Sequence, residues 1–71
     1  ISHIFRKNMG LSICDYVNRL RIRDARRLLT DTELSIQRIS EIVGYSSSNY
    51  MSEVFRSLTG MSPRTWRQQK K

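Results

Sequence analysis

A repeat at an offset of fifty residues constrains this chain more than any single motif. ISHIFRKNMGLSICDY at 1–16, set against MSEVFRSLTGMSPRTW at 51–66, keeps Ser2/Ser52, Phe5/Phe55, Arg6/Arg56, Gly10/Gly60 and Ser12/Ser62. It also pairs Ile1 with Met51, Ile4 with Val54, Leu11 with Met61 and Tyr16 with Trp66, so one structural unit is expected to be used twice. The stretch 36–50 leading into the second copy has no counterpart ahead of Ile1. The chain is therefore expected to be a fragment holding one and a half units.

With 71 residues the chain is close to the size at which a single hydrophobic core becomes marginal, which leaves no room for a large catalytic cavity. One cysteine, Cys14, excludes an intrachain disulfide, and the composition fits a reducing cytoplasm. Cys14 itself reads as a small half-buried helix residue. The lone histidine, His3, stands eleven residues from Cys14, which is not a metal-ligand spacing, so neither metal nor cofactor is expected. No nucleophile–base pair, paired carboxylates or phosphate-binding glycine loop points to an enzyme.

Thirteen Lys and Arg against six Asp and Glu give a formal charge of +7, which favours a polyanionic partner, nucleic acid before an anionic membrane surface. No apolar run reaches the ~18–20 residues of a membrane span, and the first residues lack a signal-peptide pattern.

Every segment reads as helical, so the fold is expected to be all-α. Ile1, Ile4 and Phe5 at helical spacing, closed by Gly10, read as the end of a helix. Ser12 with Asp15 three residues on is a capping-box-like start, from which a helix runs to about Leu29. Its apolar residues fall into two stripes, Ile13/Tyr16/Val17/Leu20 and Ile22/Ala25/Leu28/Leu29, rotated relative to one another. A helix of that kind packs on one body near its start and another near its end, as a linker does. Its five arginines, 19, 21, 23, 26 and 27, read as a solvated face.

Ser35 can cap a short helix carrying Ile36, Ile39, Ile42 and Val43, which Gly44 ends. Tyr45-Ser46-Ser47-Ser48 is a turn with new N-cap candidates, and the next helix runs to about Thr59 before Gly60. Helix, glycine-containing turn, helix is the order of a helix-turn-helix. Pro63 just inside a further helix start, with Trp66 as a plug over the core, completes the unit.

In the second of these helices Tyr50, Met51, Val54, Phe55 and Leu58 share one arc, expected to be the core anchor, and Asn49, Ser52, Glu53 and Arg56 cluster opposite. Short and hydrogen-bonding side chains near a helix N-terminus are what a recognition helix brings to base edges in the major groove. Asn49 can pair with adenine, Glu53 can accept from cytosine N4, and Ser52 lets the backbone approach. The repeat gives the first copy the same strip, with Ser2 and His3 toward bases. Arg6, Lys7, Arg38 and Arg56 are better placed for phosphate, as are the backbone N–H groups of Ser35 and Ile36. The linker, roughly 17 residues at 1.5 Å each, spans about 25 Å, so two recognition helices about one DNA turn apart are within its reach.

These residues resemble the C-terminal DNA-binding domain of AraC/XylS-type transcription regulators. The matching pieces are F-R-K-x-x-G-x-S at 5–12, R-x-x-x-A-x-x-L-L at 21–29, S-I-x-x-I-S-x-x-V-G-Y at 35–45 and F-R-x-x-x-G-x-S-P-x-x-W-R at 55–67. They cover nearly the whole chain.

The resemblance implies homeodomain-like three-helix units, one complete and one partial, joined by a long linker helix. Residues 1–11 would end the recognition helix of a truncated first helix-turn-helix, 12–30 would be the linker, and 35–71 the second helix-turn-helix with a short C-terminal helix. Adjacent major grooves of double-stranded DNA would be read, with base contacts at Ser2, His3, Ser48, Asn49, Ser52 and Glu53 and phosphate contacts at positions including Ser47. The resemblance further implies activation through RNA polymerase and an effector or sensor domain elsewhere in the parent chain. Glu53 places an acid where the family commonly has a basic or neutral residue. Against this stand two rivals: an amphipathic chain lying on a membrane, and a helical module binding a protein such as polymerase without reading DNA sequence.

Overall fold

The computed structural model describes residues 12–70. The expected helix end at 1–11, with Ser2, His3, Arg6 and Lys7, lies outside them. Four helices follow one another, α1 (Ile13–Asp31), α2 (Ile36–Val43), α3 (Ser48–Thr59) and α4 (Pro63–Lys70), and there is no strand among the described residues.

Each helix begins where a short polar side chain satisfies an N–H that the first turn leaves over. Ser12 Oγ accepts from the Asp15 N–H at 3.0 Å, Ser35 Oγ from Arg38 at 3.0 Å, Ser47 Oγ from Tyr50 at 3.1 Å and Ser62 Oγ from Thr65 at 3.1 Å. Two of the helix ends need a left-handed residue, and glycine supplies it: Gly44 has φ 105° and Gly60 φ 86°. At Gly44 the Tyr45 N–H bonds the Ser40 carbonyl at 2.8 Å and the Gly44 N–H the Glu41 carbonyl at 3.3 Å, which is the Schellman pairing. α1 runs two residues past the expected Leu29. Thr32 ends it, its N–H and hydroxyl both donating to the Leu28 carbonyl at 3.0 and 2.6 Å.

The core is Ile22, Ala25 and Leu29 of α1, Ile39 of α2, Tyr45 of the turn, and Met51 and Phe55 of α3. Only the second apolar stripe of α1 enters it. Ile13, Val17 and Leu20 are half-buried and Tyr16 is exposed. Taking 100° per residue, the first stripe centres about 165° from the buried Ile22, Ala25 and Leu29, so the two halves of α1 present apolar surface in nearly opposite directions.

Several expectations need correction. Ile42 is 50% exposed, because six residues from Ile36 is 600°, a third of a turn off the buried face of α2. Tyr50 and Leu58 of the expected α3 anchor are exposed, and its buried residues are Met51 and Phe55. Cys14 is exposed, lying N-terminal to the part of α1 that the core covers. The arginines of α1 are not one solvated face. The Arg21 guanidinium lies over the Tyr45 ring, 5.2 Å from its centroid, and that of Arg26 over the Trp66 ring at 5.8 Å. Trp66 is half-buried and meets Phe55 edge-on, centroids 5.7 Å apart and planes at 82°.

One long-range contact had no signal in the helical pattern. Arg67 of α4 donates from Nε to the Leu29 carbonyl and from Nη2 to the Thr32 carbonyl, both at 3.1 Å. The last turn of α1 contains no basic residue, and Arg67 supplies the missing positive charge from another helix.

Candidate nucleic-acid interface

α3 is held at three points: Met51 and Phe55 in the core, Ser47 at its first turn and Gly60 at its end. These fix which side faces outward. Asn49, Glu53 and Arg56 are exposed and Ser48 and Ser52 half-buried. Asn49, Ser52, Glu53 and Arg56 span about 100° of the helix surface, one continuous strip of amide, hydroxyl, carboxylate and guanidinium. α2 precedes it in the chain, separated by the turn 44–47.

The capping geometry narrows what the phosphate candidates offer. Ser35 and Ser47 each spend a hydroxyl lone pair on the N–H three residues on. The first-turn N–H groups left for an anion at α2 are then those of Ser35, Ile36 and Gln37. Arg38 is engaged, its Nη1 3.0 Å from Glu41 Oε1, while Gln37 Nε2 holds Glu41 Oε2 at 3.2 Å. These contacts, the Gln37 hydrogen bond first, hold the Glu41 carboxyl below the usual carboxylate range.

Of the other described arginines, Arg23 and Arg27 share Asp24 at 3.8 Å each. Arg19, Arg56 and Arg64 have no ion-pair, hydrogen-bond or ring partner among the described residues. Arg56 is thus an uncommitted cation on the outer strip of α3.

Beside that strip, α1 and α3 flank an open groove of about 230 Å³ with Asp15, Asn18 and Arg19 on one wall and Tyr50, Glu53, Val54 and Leu58 on the other. Glu53 borders both the groove and the outer face. Behind the groove Tyr45 donates its phenol hydrogen to Asn18 Oδ1 at 2.8 Å, and burial pushes that phenol above its ordinary value although Arg21 pulls it back. Asn18, Arg21 and Tyr45 were not singled out by the sequence as a group, since their contacts join positions 27 and 24 residues apart.

No three His, Cys, Asp or Glu side chains converge as a metal site among the described residues, and no described helix is long and apolar enough to cross a membrane.

Described residues whose regular structure is all helical, with a Schellman-closed turn between a short helix and an outward-facing one, are built as a helix-turn-helix domain. A family model described as a helix-turn-helix domain matches residues 1–69, and the chain belongs to that family, in its AraC-type branch of transcription regulators. The HTH-type transcriptional activator RhaR of Cronobacter sakazakii is 42% identical over 69 residues, which are 97% of this chain and 24% of the relative. The chain therefore spans about a quarter of that relative's length. A solved AraC-type DNA-binding regulator from Chromobacterium violaceum superposes with a TM-score of 0.90 at 32% identity, covering 97% of this chain and 62% of the other. The DNA-binding domain of AdpA, solved in complex with a target DNA, superposes with a TM-score of 0.89 at 25% identity, covering 96% and 61%. These relatives are regulators and not enzymes.

Proposed function

We propose that this chain is the DNA-reading part of a transcription regulator, with α3 inserted in a major groove of a specific duplex site. One observation carries the reading. A helix locked by its cap, its glycine and two buried anchors presents Asn49, Ser52, Glu53 and Arg56 together to solvent, beside a chain whose net charge is +7. Ser48, Asn49, Ser52 and Glu53 face bases. Arg56, Arg38, the Ser47 end of α3 and the N–H groups at Ser35 and Ile36 face phosphates.

α1 is the linker (12–30), 35–71 is the complete three-helix unit, and 1–11 ends the recognition helix of a partial one. That partial unit brings Ser2 and His3 to bases and Arg6 and Lys7 to phosphates in the adjacent groove. α1 has 19 residues, about 28 Å at 1.5 Å each, a length that supports two recognition helices about one DNA turn apart. Its nearly opposed apolar stripes support the same arrangement. The activator name of a relative supports activation. RNA polymerase as a further partner, an effector or sensor domain elsewhere in the parent, and action in the cytoplasm are part of the same proposal.

The test is a pair of substitutions in the intact protein. Asn49→Ala relaxes preference at one or two base pairs, at about 1–3 kcal/mol, whereas Arg56→Ala weakens all duplexes alike and lowers the salt slope by about one. Unchanged affinity and base preference in both would remove this face from the interface.

A further inference from the structure

Tyr45, the first residue after the α2 C-cap glycine, is gripped by α1 on two sides. Its hydroxyl donates to Asn18 Oδ1 at 2.8 Å, and its ring, 5% exposed, lies beneath the Arg21 guanidinium at 5.2 Å. The same guanidinium closes over Gly44, where a Cβ would stand 3.2 Å from Arg21 Nε. Asn18 and Arg21, three residues apart, share one side of α1. The residues by which α1 is buried in the core, Ile22, Ala25 and Leu29, all lie C-terminal to them. Asn18 thus hydrogen-bonds the N-terminal half of α1 to the helix-turn-helix.

That half also bears the stripe Ile13, Tyr16, Val17 and Leu20, facing away from the core. From Ile22 to Ile13 is a lever of about 13.5 Å. A tilt of about 15° at the turn moves its end by about 3.5 Å, one base-pair step of DNA.

We propose that Tyr45, acting through Asn18 and Arg21, is a positioning residue that fixes the angle between linker helix and recognition helix and so sets the half-site spacing the protein accepts. The inference rests on the reading above, in which the N-terminal stripe of α1 carries a second DNA-reading unit. A residue that only stabilised the fold would, when altered, weaken binding at every spacing by one factor. A residue that fixes the angle changes the ratio between spacings.

The experiment uses the intact protein and a duplex selected from a random pool, together with versions one base pair longer and one shorter between the half-sites. The wild type prefers its own spacing by about tenfold or more. Tyr45→Phe keeps the ring under Arg21 and deletes only the hydrogen bond, and Asn18→Ala deletes it from the other side. Both variants bind the selected duplex within about threefold of wild type, and their spacing preference narrows to about threefold or less. An unchanged preference in both, or a parallel loss on all three duplexes, overturns the positioning role and leaves the two-unit reading standing. A wild type with no spacing preference, whose base preference still responds to Asn49→Ala, overturns the two-unit reading itself and the proposal with it.

Discussion

Arg38 reaches Glu41 across one turn of α2, with Nη1 3.0 Å from Oε1, so a cation proposed for the DNA backbone is held by a carboxylate on its own helix. Both side chains are exposed, and such a pair contributes little to folding. Its consequence lies in binding. A phosphate must displace Glu41 to take Arg38, and the carboxylate itself repels the phosphate. Glu41→Ala is therefore expected to tighten binding to all duplexes severalfold and to steepen the salt dependence by about one. Arg38→Ala cancels the gain. Filter binding or fluorescence anisotropy over a salt series measures both, and an unchanged slope in Glu41→Ala would take Arg38 out of the phosphate contacts.

Phe55 is fully buried between the α1 and α2 side chains of the core and the edge of Trp66, whereas Trp66 is only half-buried. Truncating a buried aromatic costs the lost transfer energy together with the cavity left behind. Phe55→Ala is expected to lose about 3–5 kcal/mol, and Trp66→Ala less than that. Denaturant unfolding followed by circular dichroism orders the two, and a larger loss at Trp66 would contradict the burial described above.

What could be read from the sequence was what short-range physics decides. Ser12, Ser35 and Ser47 each cap a helix by reaching an N–H three residues on, and Gly44 and Gly60 take left-handed backbone that other residues resist, so helix boundaries were legible locally. The outer strip of α3 was legible for the same reason, since the helical period alone puts Asn49, Ser52, Glu53 and Arg56 together. The depth of burial was not legible. Tyr50 and Leu58 share the arc of Met51 and Phe55, yet both are exposed, because the helical period does not say how far neighbouring helices cover an arc. The arginines were least legible, because a guanidinium finds its partner by tertiary placement. Arg21 on Tyr45, Arg26 on Trp66 and Arg67 on the end of α1 carry no local signature, and the first two read as part of a solvated face from sequence alone.

Arg67 spans two carbonyls with one planar fork, Leu29 from Nε and Thr32 from Nη2. Those carbonyls belong to the end of α1, where the helix cannot satisfy them itself. Arg67→Ala is expected to cost about 1–3 kcal/mol, the range for hydrogen bonds to charged groups. Arg67→Lys should recover only a minor part, because a single ammonium does not reproduce the fork. Thermal unfolding of the three proteins tests this, and full recovery by lysine would show that charge rather than geometry holds the two helices together.

The two left-handed glycines differ in their surroundings, and substitution separates backbone cost from packing cost. Gly60, at φ 86°, has nothing within 4 Å of an added Cβ, so Gly60→Ala carries only the conformational penalty of about 1–2 kcal/mol. Gly44, at φ 105°, carries that penalty and also brings its Cβ to 3.2 Å from Arg21 Nε and 3.3 Å from Cζ. The guanidinium is the far end of a flexible side chain and can withdraw, but withdrawal takes it off the Tyr45 ring and loses about 0.5–1 kcal/mol of cation–π contact. Gly44→Ala is therefore expected to be the more destabilising of the two. In an Arg21→Ala background the difference between Gly44→Ala and Gly60→Ala should shrink toward zero, because no guanidinium remains to be displaced. Chemical denaturation of the four variants forms a double-mutant cycle, and a gap that survives removal of Arg21 would place the extra cost in the turn backbone instead.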